Sequence, residues 1–201
     1  MMERNLNVTL AHEFYRCSKA YRNFNLLRVV LTKESNVESR LNCYNSYVDF
    51  LAHFYEFYIG NIEHNIKPES NKFHELYNSD SKKKKHEIID YIINLEVEKL
   101  LRNRKARIIA GFNDDLGLDL KFYEIKVPVD FGKHFRFVRH RRNHTDPNRA
   151  DSEGNISLTT FYKLYHRFLI IMFQETEWIW KVDVEKFDWK AINSFTQEIL
   201  S

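Results

Sequence analysis

The chemistry-bearing residues of this chain are concentrated in one hexapeptide, Arg139-His140-Arg141-Arg142-Asn143-His144. Arginine is a fixed cation whose planar fork matches a phosphate. Histidine exchanges protons near neutral pH without strong perturbation. Arg139 and His140 stand five and four residues before His144. On a helix, positions four apart share a face, so Arg139 sits above Asn143 and His140 above His144. Together these groups are what cleavage of an RNA phosphodiester needs without a metal. A histidine takes the proton of a 2′-hydroxyl that attacks phosphorus, and a second donor protonates the leaving 5′-oxygen. Arg139 stabilises the charge that builds on the phosphoryl oxygens. The products would be a 2′,3′-cyclic phosphate and a 5′-hydroxyl, and DNA would be spared.

Competing readings of the hexapeptide remain open. His140 and His144 at i, i+4 could bind a metal, although no Glu follows the first His as in zinc peptidases and two arginines lie between them. The segment could instead be a basic patch on a helical module that binds nucleic acid or a protein without catalysis. No Gly-rich phosphate loop, Ser/His/Asp order or paired-carboxylate motif competes with it elsewhere.

The elements that must position this segment are helical. Only 5 Gly and 3 Pro occur among 201 residues, so long helices and few tight turns are expected. The chain is 43% hydrophobic, with 16 Phe and 11 Tyr, enough for a sizeable core in a single domain over 1–201. A first helix is predicted over 9–32, with Thr9 as N-cap and Leu10, Phe14, Cys17, Tyr21, Phe24, Leu27 and Leu31 inward. A second runs over 37–63. Its stripe Val37, Leu41, Tyr44, Val48, Leu51, Tyr55, Tyr58 and Ile62 lies beside another, Tyr47, Phe50, Phe54 and Phe57. So wide an apolar girth must be covered on most sides. Residues 67–85 read as a polar surface loop ending in four lysines, and a third helix follows over 86–110, stopped by Gly111. Residues 116–129 alternate like a short strand or an extended connection. The segment from Gly132 to Thr145 reads as a helix that buries Phe135 and Val138 and turns its arginines out, ending before Pro147. Helices over 157–180 and near 189–200 complete an all-α bundle of five to six helices with one irregular or β-like excursion.

Net charge is only +3, but it is unevenly spread. Lys99, Arg102, Arg104, Lys105 and Arg107 form one basic cluster; Lys133, Arg136, Arg139, Arg141, Arg142 and Arg149 form another. Such clusters are either polyanion-binding faces or solvated helix faces. On the first reading Arg136, Arg141, Arg142, Asn143, Arg102 and Lys105 would contact RNA. No apolar run is long enough for a membrane span, and the N-terminus is unlike a signal peptide. Cys17 and Cys43 read as reduced core residues, which fits a cytoplasmic protein.

The hexapeptide resembles the signature of the HEPN superfamily, all-α domains of prokaryotic defence and toxin systems: Arg, a polar residue, three residues, then His. The resemblance implies a metal-independent endoribonuclease without cofactors, working as a homodimer whose two motifs meet at one cleft. It implies that Arg139 and His144 are the catalytic pair and His140 the accessory polar residue. It also implies control by an antitoxin or other regulatory protein. Members silenced by a nucleotidyltransferase carry a tyrosine two residues after the histidine. This chain has Thr145-Asp146 there, so tyrosine modification is not the expected off-switch.

Overall fold

In the computed structural model the chain is all-α. Residues 2–33, 36–65, 82–112, 117–139, 156–179 and 189–200 are described. They form six α-helices: α1 (Met2–Lys33), α2 (Val37–Asn65), α3 (Lys82–Ile109), α4 (Phe131–Arg139), α5 (Leu158–Ile179) and α6 (Lys190–Leu200). A 3-10 turn, Leu120–Glu124, precedes α4. No strand occurs among the described residues.

Sequence dictates the helix ends. Asn36 caps α2 reciprocally with Ser39: the Ser39 amide donates to Asn36 Oδ1 at 2.8 Å, and the Asn36 amide donates to Ser39 Oγ at 3.1 Å. Ser157 caps α5 by accepting from the Thr160 amide at 3.0 Å. Gly111 ends α3 at φ 83°, where a side chain would be strained. The Gly111 and Phe112 amides there donate to the carbonyls of Ile108 and Arg107, which completes a Schellman closure.

Helices α1 and α2 form an antiparallel hairpin, and α5 lies against both. Phe14, Tyr21, Phe50 and Phe54 all place their rings within 6 Å of Phe173. The second stripe of α2 therefore faces this three-helix seam. Its first stripe divides: Val48, Leu51, Tyr55 and Tyr58 are buried, whereas Val37, Leu41 and Tyr44 are exposed near the start of the helix. Short α4 fills the remaining side of α2. Phe135 meets Phe54, Tyr55 and Phe161, and Phe131 meets Tyr165 and Phe168. Aromatic pairs of this kind add about 0.5–1.5 kcal/mol each beyond burial. His166 shares the core with Tyr47, whose hydroxyl lies 3.2 Å from Nδ1. Desolvation, with Arg28 nearby, lowers its pKa to about 4, so its ring is neutral at physiological pH.

Several expectations need correction. Helix α1 begins at Met2, so Thr9 lies inside it and is no cap. Helix α3 begins at Lys82, so Lys82–Lys85 belong to a helix and not to the loop; residues 66–81 lie outside the described residues. The alternation in 116–129 is not a strand. Phe122 and Tyr123 are buried by the 3-10 turn and Val127 by the extended stretch after it, while Leu120, Ile125 and Val129 are exposed. Alternation alone could not separate these, since no strand occurs among the described residues to pair with them. Cys17 and Cys43 are buried and free, as expected.

The backbones of α3 and α4 approach closely where they cross. A Cβ added to Gly132 would lie 2.7 Å from the Cα of Asp90, inside backbone that cannot yield. Gly132→Ala is therefore expected to destabilise the protein by about 1–3 kcal/mol or more. A urea or thermal melt unchanged from wild type would show that this crossing is looser than described.

Candidate functional site

The site is built from the seam where α4 lies between α2 and α3. Asn94 of α3 fixes the start of α4. Its Oδ1 accepts from the Gly132 amide at 2.8 Å and its Nδ2 donates to the Val129 carbonyl at 2.7 Å. One turn earlier in α3, Asp90 meets the backbone of Gly132 and receives Arg136. The Arg136 Nε and Nη2 donate to Asp90 at 2.9–3.2 Å in a forked arrangement. Both side chains are mostly buried, 15% and 10% exposed. The Asp90 partnership holds the Arg136 pKa above its ordinary value, against desolvation.

These contacts aim the last turn of α4, where Arg139 sits. Its guanidinium packs over the Tyr55 ring, 4.8 Å from the centroid, and its Nη1 donates to Glu56 at 2.6 Å. The Tyr55 hydroxyl is buried and has no hydrogen-bond partner among the described residues. Burial, with Asp90 adding to it, raises its pKa well above the ordinary value, so it stays protonated.

The two arginines differ in what binding an anion would require. Removing one partner of a buried pair costs about 3–5 kcal/mol, so Arg136 stays on Asp90. The Arg139–Glu56 pair leaves Glu56 half exposed, and exposed pairs contribute about 0.2–1 kcal/mol. Arg139 itself is 23% exposed and is held by both Glu56 and the Tyr55 ring. The expectation that the arginines of this helix face outward is thus corrected for Arg136, which turns into the protein.

The other anticipated site residues separate. His140, Arg141, Arg142, Asn143 and His144 lie outside the described residues, as do Thr145 and Asp146. Arg102 and Lys105 are on the far part of α3, 12 and 15 residues beyond Asp90 and so about 18–22 Å along the helix. Every basic residue of that cluster faces a carboxylate. Lys99 meets Glu96, Arg102 meets Glu98, and Lys105 meets Glu124. Arg104 and Arg107 converge on Glu175. Acids from α3, the 3-10 turn and α5 thus lie beside the run, while Lys99 and Arg102 stay mostly exposed. Among the described residues no group of three His, Cys, Asp or Glu side chains could hold a metal ion. No described helix is long and apolar enough to cross a membrane.

Sequence reasoning missed Asp90, Tyr55, Glu56 and His86, which surround the two arginines. Asp90 is an acid next to Ile89 and one turn before Ile93, both buried, and that neighbourhood was the available signal. No protein-family model, curated protein or solved structure matches the chain.

If Asp90 is what holds Arg136 and aims α4, then Asp90→Ala should destabilise the fold by about 3–5 kcal/mol, through the uncompensated Arg136 charge. Asp90→Ala combined with Arg136→Met should recover much of that loss. Chemical denaturation of the three variants checks it; a loss under about 1 kcal/mol in Asp90→Ala would mean that the pair does not anchor α4.

Proposed function

We propose that the chain is a metal-independent endoribonuclease of the HEPN type, cleaving RNA by 2′-hydroxyl attack with Arg139 and His144 as the catalytic pair and His140 beside them. The observation that carries this reading is the setting of Arg139. It ends a short helix anchored at its start by Asn94 and at its middle by Asp90. It is paired with a half-exposed carboxylate, directly before His140 and five residues before His144. A cation so positioned suits a phosphoryl group that gains charge in the transition state.

Arg141, Arg142 and Asn143 follow Arg139 in sequence and would add phosphate contacts. Arg102 and Lys105, already paired with acids and remote along α3, would contribute at most a secondary contact. Control by a bound antitoxin or other regulatory protein fits the absence of a tyrosine two residues after His144.

The working assembly in this reading is a homodimer. Leu26, Val29 and Val30 of α1 and Val37 and Leu41 of α2 are exposed apolar side chains near the tip of one hairpin, which favours self-association. Leu41 lies about 22 Å from Glu56 along α2, so a composite cleft also requires contact along the α2–α3–α4 seam.

Arg139→Ala and His144→Ala should each lower cleavage of single-stranded RNA by about 10²–10⁴-fold or more in the presence of EDTA. His140→Ala should have a smaller effect. Wild-type protein should sediment as a dimer at micromolar concentration. Full activity in His144→Ala would remove the nuclease assignment, and RNA binding without cleavage in wild type would favour the non-catalytic module. Activity lost in EDTA and restored by a divalent ion would favour the metal reading of His140 and His144.

A further inference from the structure

Arg136 and Arg139 stand one turn apart on α4, yet they use different edges of the guanidinium. Arg136 gives its Nε–Nη2 edge to Asp90, donating to both carboxylate oxygens at 2.9–3.2 Å. Arg139 instead donates Nη1 to Glu56 at 2.6 Å and lays its face on the Tyr55 ring, 4.8 Å from the centroid. Its Nε–Nη2 edge, the fork that matches two phosphate oxygens, has no acceptor among the described residues. That edge keeps contact with solvent: the side chain is 23% exposed, and the sealed, unpartnered polar atoms include the Tyr55 hydroxyl but neither of these nitrogens. The two supports are consecutive residues of α2. The Tyr55 ring is itself fixed, fully buried and edge-on to Phe135 with centroids 5.2 Å apart. It sets the plane of the guanidinium. The Glu56 carboxylate sets the rotation within that plane. Arginine carries five N–H donors, so an anion on the open edge displaces neither support.

We propose that the Nε–Nη2 edge of Arg139 is the contact for an RNA phosphate, and that Tyr55 and Glu56 are its positioning residues, which stay in place when the phosphate binds. The proposal rests on the nuclease reading above for the identity of the anion. Its own content is the edge that is used and the two side chains of α2 that aim it. A guanidinium held on one face and one side approaches the phosphate already oriented, so little freedom is lost on binding. The same fixed orientation keeps its donors aimed at oxygens that gain charge in the transition state.

The test pairs cleavage of a single-stranded RNA with binding of the same strand methylated at every 2′-oxygen, which cannot be cut by this route. On titrating the methylated strand into isotope-labelled protein, the Arg139 Nε–H resonance, assigned by its loss in Arg139→Lys, should shift. Tyr55→Leu should weaken binding and slow cleavage by about 2–30-fold, the worth of a cation–aromatic contact. Tyr55→Phe keeps the ring and should restore both. Glu56→Ala should lose about 1.5–5-fold, as an exposed pair does, with an unchanged thermal melt; it carries the test if Tyr55→Leu does not fold. In an Arg139→Ala background neither substitution should weaken binding further, because both act through Arg139. A loss that persists there is structural and overturns the positioning role. Tighter binding or faster cleavage in Glu56→Ala overturns it too, since the carboxylate would then be competing with the phosphate. A wild type that cleaves RNA with no shift at Arg139 overturns the proposal and leaves RNA cleavage standing. A wild type that shifts Arg139 in the expected way but cuts nothing supports the contact and removes only the nuclease reading; one that neither binds nor cuts overturns both.

Discussion

The close approach of α4 to α3 at Gly132 and Asp90 is the constraint on which the rest of the site depends. Only glycine lets the two backbones come this near. That proximity puts Asp90 within reach of Arg136 and Asn94 within reach of the first turn of α4. A nine-residue helix has little stability of its own. Here it is held by a cap borrowed from a neighbour, a buried ion pair and the Phe131, Phe135 and Val138 side chains, all fully buried. Its orientation, and hence the direction in which Arg139 points, follows from those three supports.

The two arginines one turn apart illustrate how burial assigns roles to identical side chains. Arg136 is committed to Asp90 because the pair is desolvated and forked. Arg139 is paired with Glu56, which remains half exposed, and with the Tyr55 ring. The same distinction explains the cluster between Lys99 and Arg107. Its formal charge is high, but Glu96, Glu98, Glu124 and Glu175 each lie within 4 Å of one of its cations. The seam of α2, α3 and α4 carries the unusual groups instead: a buried Tyr55 hydroxyl with no partner among the described residues, a histidine, His86, whose pKa is lowered by partial desolvation and then by Arg136, and an arginine over an aromatic ring.

Much of the fold was legible in the sequence. The three-and-four spacing of Leu10, Phe14, Cys17 and Phe24, and of Tyr47, Phe50, Phe54 and Phe57, reports helix faces directly, and the scarcity of Gly and Pro sets their length. Glycine at 111 marked a true helix end. What was illegible depends on contacts between distant segments. The Lys82–Lys85 run reads as loop by composition, because charge does not reveal that a helix starts there. Residues 116–129 alternate whether they pair as a strand or wrap as a 3-10 turn. Arg136 looks like its neighbours until Asp90, 46 residues earlier, is placed beside it. Of the candidate site, the sequence shows the hexapeptide, of which Arg139 alone is among the described residues; Tyr55, Glu56, His86 and Asp90, near Arg136 and Arg139, come from two other helices and required the tertiary arrangement.

The central claim is that an RNA 2′-hydroxyl is the nucleophile, with protein groups alone moving the protons. End-group analysis of a short single-stranded RNA incubated with the protein in EDTA tests it most directly, alongside the same strand bearing one 2′-deoxy nucleotide at the cut position. The account predicts 2′,3′-cyclic phosphate and 5′-hydroxyl ends, and no cut at the deoxy position. Ends carrying a 5′-phosphate and 3′-hydroxyl, or equal cleavage of the deoxy-substituted strand, would contradict it.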